Sequence, residues 1–258
     1  VARRHIQIFF DNYGIGAEIW TRATSTIVAN NPKIRWAAIA DSFGNTISDS
    51  GASGLDYTLL NTLHSRFGFD YDFIDLSVGS TALYKGAGLQ VMVGDAMPYP
   101  NNLVPSHRKQ LRVSTPGLDL DVLTLCVGVN DYGVYTNPIF ASELSAFLAD
   151  AKAMHPNAII VVIGVMSAPS HTLATSQAGE AIVASICTSY GVGFVPMQTL
   201  NPPFLRGTGK QGTTTGVGNS DIYTGPDGTH PTIAGHLALG ERMARGVYEQ
   251  AKQILLAA

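Results

Sequence analysis

The sequence predicts an α/β fold, a parallel β-sheet with helices on both faces. From Ile34 onward, apolar runs of strand length alternate with longer stretches of helical pattern, the order that builds such a sheet. The runs at 36–40 and 158–165 are apolar almost throughout, as strands buried on both faces must be. Acids, hydroxyls and glycines cluster just past the ends of the runs, where ligands bind in sheets of this kind.

Taken in order, residues 1–31 alternate in places, with Ile6, Ile8 and Phe10 on one face and His5, Gln7 and Phe9 on the other, before the turn signal Asp11-Asn12-Tyr13-Gly14. This reads as a short N-terminal β-segment, too small for a core of its own; it either packs on the main domain or ends a β-rich domain lying upstream. Asn30-Asn31-Pro32 marks the boundary, so the main domain is 32–258. Strands are expected at 35–40, 71–76, 122–127, 158–165 and 193–196. Helices are expected at 55–67, 138–154 and 175–190, with a last one from 232 to about 255; His155-Pro156-Asn157 is a stop signal for the second. The connections at 85–117, rich in Pro, Gly and Asn, and at 197–228, rich in Gly and Thr, are too long for simple turns and should emerge at the carboxyl edge of the sheet. Gly207-Thr208-Gly209-Lys210-Gln211 is a loop and not a phosphate loop, because the upstream glycine and the Ser/Thr after the lysine are both missing.

Composition narrows the partners. With 258 residues, 45% hydrophobic, the chain can bury a large core in one domain. A net charge of -3 and a charged fraction of 14% leave no basic face for nucleic acid or an anionic membrane, and a small neutral ligand fits better. Cys126 and Cys187 lie in apolar surroundings without Cys-x-x-Cys spacing, so they read as buried thiols, not as a zinc site or redox pair. No apolar run approaches the ~20 residues of a membrane helix, and no signal peptide opens the chain. The start at Val1 reads as a processed or trimmed N-terminus. Few Lys and Glu with abundant Gly, Thr and Ser favour an extracellular or particle-borne setting, although the compartment is not fixed by these features.

The chemistry begins at Ile39-Ala40-Asp41-Ser42-Phe43-Gly44-Asn45, where the first buried strand ends in an acid, a hydroxyl and a glycine. Serine-based ester hydrolysis needs a hydroxyl, a base for its proton, a group that orients the base, and donors for the oxyanion. Ser42 supplies the first, with its N–H near a helix start; taken alone it also fits a helix N-cap. Asp227-Gly228-Thr229-His230-Pro231 supplies the next two: in a tight turn this spacing can bring the Asp227 carboxylate to Nδ1 of His230 and leave Nε2 facing a hydroxyl. A surface turn with a capping acid would read the same way. Gly79 follows the second strand and lets a ligand approach its N–H closely, while Asn130 follows the third and offers an amide NH2. Each of these alone is an ordinary turn residue; together they open at one sheet edge.

These blocks resemble those of the SGNH hydrolase superfamily, the GDSL esterases and lipases. Asp41-Ser42 is similar to its first block, Gly79 to its second, Gly128-x-Asn130-Asp131 to its third and Asp227-x-x-His230 to its last, in the family's order. The resemblance implies a three-layer α/β/α fold of flavodoxin type, with a five-stranded parallel sheet in the order 2-1-3-4-5. It implies Ser42, His230 and Asp227 as catalytic residues, an oxyanion hole formed by the N–H of Ser42, the N–H of Gly79 and the side chain of Asn130, and no metal or cofactor. Asp41 and Asp131 would be structural. One departure is Ala40, which stands where the family usually has glycine and would be strained if the backbone there needed positive φ.

An ordinary α/β-hydrolase competes, since Ala40-Asp41-Ser42-Phe43-Gly44 differs from Gly-x-Ser-x-Gly only at its first residue. In that fold, however, several strands and an oxyanion segment precede the nucleophile, and its acid and histidine are normally far apart in sequence. Tyr84, Met97, Tyr99, Tyr132, Tyr135 and Tyr223 lie in or beside the site-edge loops, and rings with polar tips suit sugar faces as well as acyl chains. The expected reaction is removal of a short acyl group, acetyl first, from a carbohydrate. A lipid or thioester hydrolase of the same superfamily is the second reading, and a non-catalytic glycan-binding module on this fold is the third.

Overall fold

A computed structural model describes residues 34–45, 71–78, 81–83, 98–99, 102–103, 106–128, 130–131, 137–164, 171–201, 203–204, 223–225 and 229–257. The expected β-segment at 1–31, the helix at 55–67 and the site residues Gly79 and Asp227 lie outside the described residues.

The five apolar runs form one sheet. Its strands are β1 (Ile34–Ile39), β2 (Tyr71–Asp75), β3 (Val122–Val127), β4 (Ile159–Gly164) and β5 (Gly193–Val195). All neighbours are parallel, and the spatial order is 2-1-3-4-5. Every residue of β3 and β4 is buried, which is why those runs lack the polar alternation of a half-exposed strand. Each strand ends within two residues of its expected limit.

The helices among the described residues are α1 (Ser42–Asn45), α2 (His107–Ser114), α3 (Asn137–Met154), α4 (Leu173–Tyr190) and α5 (Ile233–Ala257). Residues 37, 39, 123, 125, 127, 160 and 162 share one sheet face through the two-residue period of a strand. Against that face pack Leu111 of α2, Phe140, Leu144 and Phe147 of α3, and Val183 and Cys187 of α4. Each fully buried Leu or Phe there contributes about 1.5–3 kcal/mol. On the opposite face α5 lies against β4 and β5, so closely that a side chain at Gly246 would collide with Val195. These are the three layers of an α/β/α sandwich.

α4 begins at its cap, Thr172, whose hydroxyl accepts the Thr175 N–H at 3.1 Å, and ends at Gly191 in the left-handed region (φ 61°). α2 corrects an expectation, because the connection at 85–117 is not irregular throughout. Ser106 caps α2 by accepting the Lys109 N–H at 3.2 Å, and Arg108 and Arg112 both reach Asp150 of α3, at 2.5 and 2.9 Å. The same connection holds a two-residue antiparallel pairing of Pro98–Tyr99 with Asn102–Leu103.

Candidate active site

At its carboxyl end β1 keeps bonding to the chain that leaves β2. The Ala38 carbonyl accepts the Leu76 N–H at 2.8 Å, and the Ala40 carbonyl accepts the Val78 N–H at 3.0 Å and the Thr81 hydroxyl at 3.3 Å. The backbone then folds back sharply. Asp41, fully buried, accepts the Phe43 N–H on Oδ1 at 2.9 Å, and its carbonyl accepts the Gly44 N–H at 3.0 Å. Ser42 stands at the head of this turn, half-buried.

The loop after β3 is set by Gly128, whose φ of 125° disfavours any side chain. The Asp131 N–H closes that turn onto the Gly128 carbonyl at 3.1 Å. Two bonds then stitch it to the segment after β2: the Asn130 amide donates from Nδ2 to the Thr81 carbonyl at 2.8 Å, and the Leu83 N–H donates to Asp131 Oδ1 at 3.0 Å. Asp41 and Asp131 thus hold loops, as the resemblance implied. Burial pushes both carboxyls up to about 7, and the charge of Asp131 adds to the rise at Asp41.

His230 arrives from the far end of the chain on a closed hairpin. Thr224 and Pro231 form an antiparallel bridge, the Gly225 N–H donates to the His230 carbonyl at 2.8 Å, and the Thr232 N–H donates to the Tyr223 carbonyl at 2.8 Å. The imidazole faces the Phe43 ring, with centroids 5.6 Å apart and planes inclined at 42°. Phe43 directly follows Ser42, so the histidine meets the serine turn. The structure therefore gathers Ser42, Asn130 and His230 around the carboxyl end of β1. Gly79 and Asp227 are beyond the described residues, and so are Tyr84, Met97, Tyr132 and Tyr135.

Two residues of this assembly were not singled out in the sequence. Thr81 accepts the Asn130 amide and ties its own hydroxyl to the Val78 carbonyl at 2.8 Å, and Phe43 is the surface met by His230. Both adjoin recognisable blocks, and that adjacency was their one signal. Among the described residues no cluster of three or more His, Cys, Asp or Glu could hold a metal ion. Cys126 and Cys187 are unbridged and buried, and burial raises both thiols, Cys187 to about 12.

A hydroxyl, an imidazole and a primary amide drawn from three distant stretches can serve acyl transfer. The sequence model of the GDSL-like lipase/acylhydrolase family matches residues 37–238. The chain belongs to that family. It is accordingly a hydrolase of the esterase and lipase class. No curated protein is significantly similar to this GDSL hydrolase in sequence. Solved structures share its fold. A Corynascus thermopiles (Myceliophthora fergusii) carbohydrate esterase family 2 enzyme with a carbohydrate-binding domain is 17% identical, with a TM-score of 0.56 over 86% of this chain and 67% of that one. The psychrotrophic esterase EstA from Pseudoalteromonas sp., inhibited by monoethylphosphonate, is 13% identical, with a TM-score of 0.57 over 86% and 98%. A family two carbohydrate esterase from Clostridium thermocellum in complex with cellohexaose is 16% identical, with a TM-score of 0.55 over 86% and 66%. No helix among the described residues is long and apolar enough to cross a membrane.

Proposed function

We propose that this GDSL hydrolase is a serine carboxylic-ester hydrolase that removes short acyl groups, acetyl first, from a carbohydrate. Ser42 is the nucleophile, His230 its base and Asp227 the acid orienting that base. The N–H groups of Ser42 and Gly79 and the Asn130 amide hold the oxyanion. The observation that carries the reading is the ring contact between Phe43 and His230, which joins the serine turn to a histidine from the other end of the chain. Asn130 adds support. Its NH2 has two hydrogens, one of which goes to the Thr81 carbonyl, so the second can meet an oxyanion without the side chain moving.

In this mechanism Nε2 of His230 takes the proton from Ser42 Oγ as Oγ bonds to the acyl carbon, and the carbonyl electron pair moves onto the oxygen held by the three donors. When the tetrahedral adduct collapses, the bond to the alcohol oxygen breaks and the imidazolium returns the proton to it. Water then attacks the acyl-serine through the same base, releasing the acid and restoring Ser42.

The carbohydrate assignment is supported by the two carbohydrate esterases of family 2 that share the fold, one of them in complex with cellohexaose. The family's description as lipase and acylhydrolase favours a second reading, a longer acyl chain. Hydrolysis of p-nitrophenyl acetate, butyrate, octanoate and palmitate by the wild type and Ser42→Ala separates the two. Turnover falling steeply beyond acetate, and roughly 10⁴-fold lower or more in Ser42→Ala, is the expected result. Turnover rising with chain length would move the assignment to lipid esters. Unchanged turnover in the folded Ser42→Ala protein would remove the serine mechanism, and glycan binding without ester turnover would indicate a binding module.

A further inference from the structure

β5 is the last strand of the sheet, and where α5 crosses it the two elements leave a cavity of about 620 Å³, a size typical of small-molecule sites. Phe194, Val195 and Pro196 form one wall, and Arg242, Arg245 and Glu249 of α5 form the other. The three charged residues recur at spacings of three and four, so they share one helix face.

Arg242 is the unusual member. It is partly buried, yet among the described residues its guanidinium makes one hydrogen bond, from Nη2 to the Pro196 carbonyl at 3.0 Å, and its buried Nε has no acceptor. Among the described residues no carboxylate pairs with it directly. Glu180 attracts it from a distance, but that carboxylate already accepts from the Met197 N–H, the Thr199 N–H and the Thr199 hydroxyl. Arg245 adds a second positive charge, is 60% exposed, and pairs with Glu241 at 2.8 Å. A guanidinium is a rigid fork of five donors matched to a carboxylate, and a partly buried cation without a counter-ion is costly. Arg242 lines the cavity, and the guanidinium hydrogens not given to the Pro196 carbonyl or enclosed at Nε remain for a ligand there.

Glu249 on the same wall selects further. It would repel a dianion such as phosphate, but it can accept hydrogen bonds from hydroxyl groups while Phe194 and Pro196 cover an apolar ring face. We propose that this cavity binds a small monocarboxylate rich in hydroxyls, a sugar acid in chemical class, with the carboxylate forked on Arg242 and hydroxyls donating to Glu249. The site is separate from the serine. Arg242 lies nine residues beyond the first residue of α5, about 14 Å along the helix, and β5 is three strands from β1, again about 14 Å. The assignment holds whatever ester the enzyme cleaves.

The test is calorimetric titration of the full chain with D-glucuronate, D-glucose and inorganic phosphate, repeated on Arg242→Gln, Arg245→Gln and Ser42→Ala. Glucuronate should bind the wild type and Ser42→Ala equally, and about tenfold more weakly or worse once the Arg242 guanidinium is gone. Glucose, which lacks the carboxylate, should show a comparable loss. Arg245→Gln changes an exposed side chain, does not endanger the fold, and should weaken glucuronate by about threefold. The assignment is overturned by absence of glucuronate binding, by undiminished binding in both arginine variants, by its loss in Ser42→Ala, or by phosphate binding as tightly as glucuronate.

Discussion

Replacing Gly44 by alanine tests how closely the serine turn is fitted to its surroundings. A Cβ at position 44 would stand 2.7 Å from the Ala40 Cβ and 2.8 Å from the Ser77 Cβ, and would strike the Ser77 hydroxyl as well. Two of these neighbours are Cβ atoms fixed to the backbone, so rotamer changes cannot relieve them. Overpacking of this kind costs about 2–3 kcal/mol. Alanine recovers about 0.4–1 kcal/mol by restricting the unfolded chain. The steric cost wins, leaving a net loss of roughly 1–2.5 kcal/mol and a Tm lower by roughly 2–10 °C for a domain of this size. Because Ser42 lies two residues away, turnover of p-nitrophenyl acetate should fall by about tenfold or more. Ser77→Gly removes two of the three contacts, so the double variant should recover part of the loss and show a favourable coupling. Thermal unfolding and turnover of both single variants and the pair measure this. A Gly44→Ala protein with wild-type Tm and turnover, and no coupling to position 77, would refute the reasoning.

Further outcomes follow from other buried contacts. Asp41 and Asp131 carry folded-state values of about 7, so the native protein keeps protons that the unfolded chain releases near pH 4. Their contribution is complete below that and is lost as pH rises to about 7; urea unfolding should show stability falling across that window, and a flatter profile in Asp41→Asn. Glu180→Gln leaves one of the N–H groups of Met197 and Thr199 facing an NH2 in place of an acceptor, which should cost about 1–3 kcal/mol by the same measurement. In Gly235→Ala the new Cβ would meet the Tyr223 carbonyl oxygen and, at 2.9 Å, the Pro231 Cβ; the hairpin carrying His230 should shift, lowering kcat more than Tm.

The fold was legible wherever burial is two-sided. β1, β3 and β4 read as strands because both of their faces meet apolar layers, and α3, α4 and α5 were placed because long patterned stretches separate those runs. α2 escaped for a physical reason. Its buried residues are His107, Gln110 and Leu111, two of them polar, so no apolar stripe announces it, and the Pro, Gly and Asn around it masked the Ser106 cap. The Ser42, Asn130 and His230 blocks were readable because turn chemistry leaves a local signature. The ties between them were not: Thr81 to Asn130, Leu83 to Asp131 and Phe43 to His230 each join segments far apart in sequence. Ala40 belongs with these. Its methyl group occupies space that any side chain at position 44 would need, a constraint between two positions that neither residue shows alone.

The interior position of β1 governs how the chain must be assembled. Bonded on one flank to β2, it meets β3 on the other, and the Arg35 N–H reaches the Asp121 carboxylate at 2.9 Å across 86 residues of sequence. At translation rates of 5–20 residues per second, the strand that presents Ser42 waits roughly 4–17 s for that second flank to be made. The histidine comes later still, on the approach to the final helix. A nascent chain therefore carries Ser42 long before His230 has been made, and its most apolar early strand spends that interval with an open edge, the state in which strands are most prone to pair wrongly.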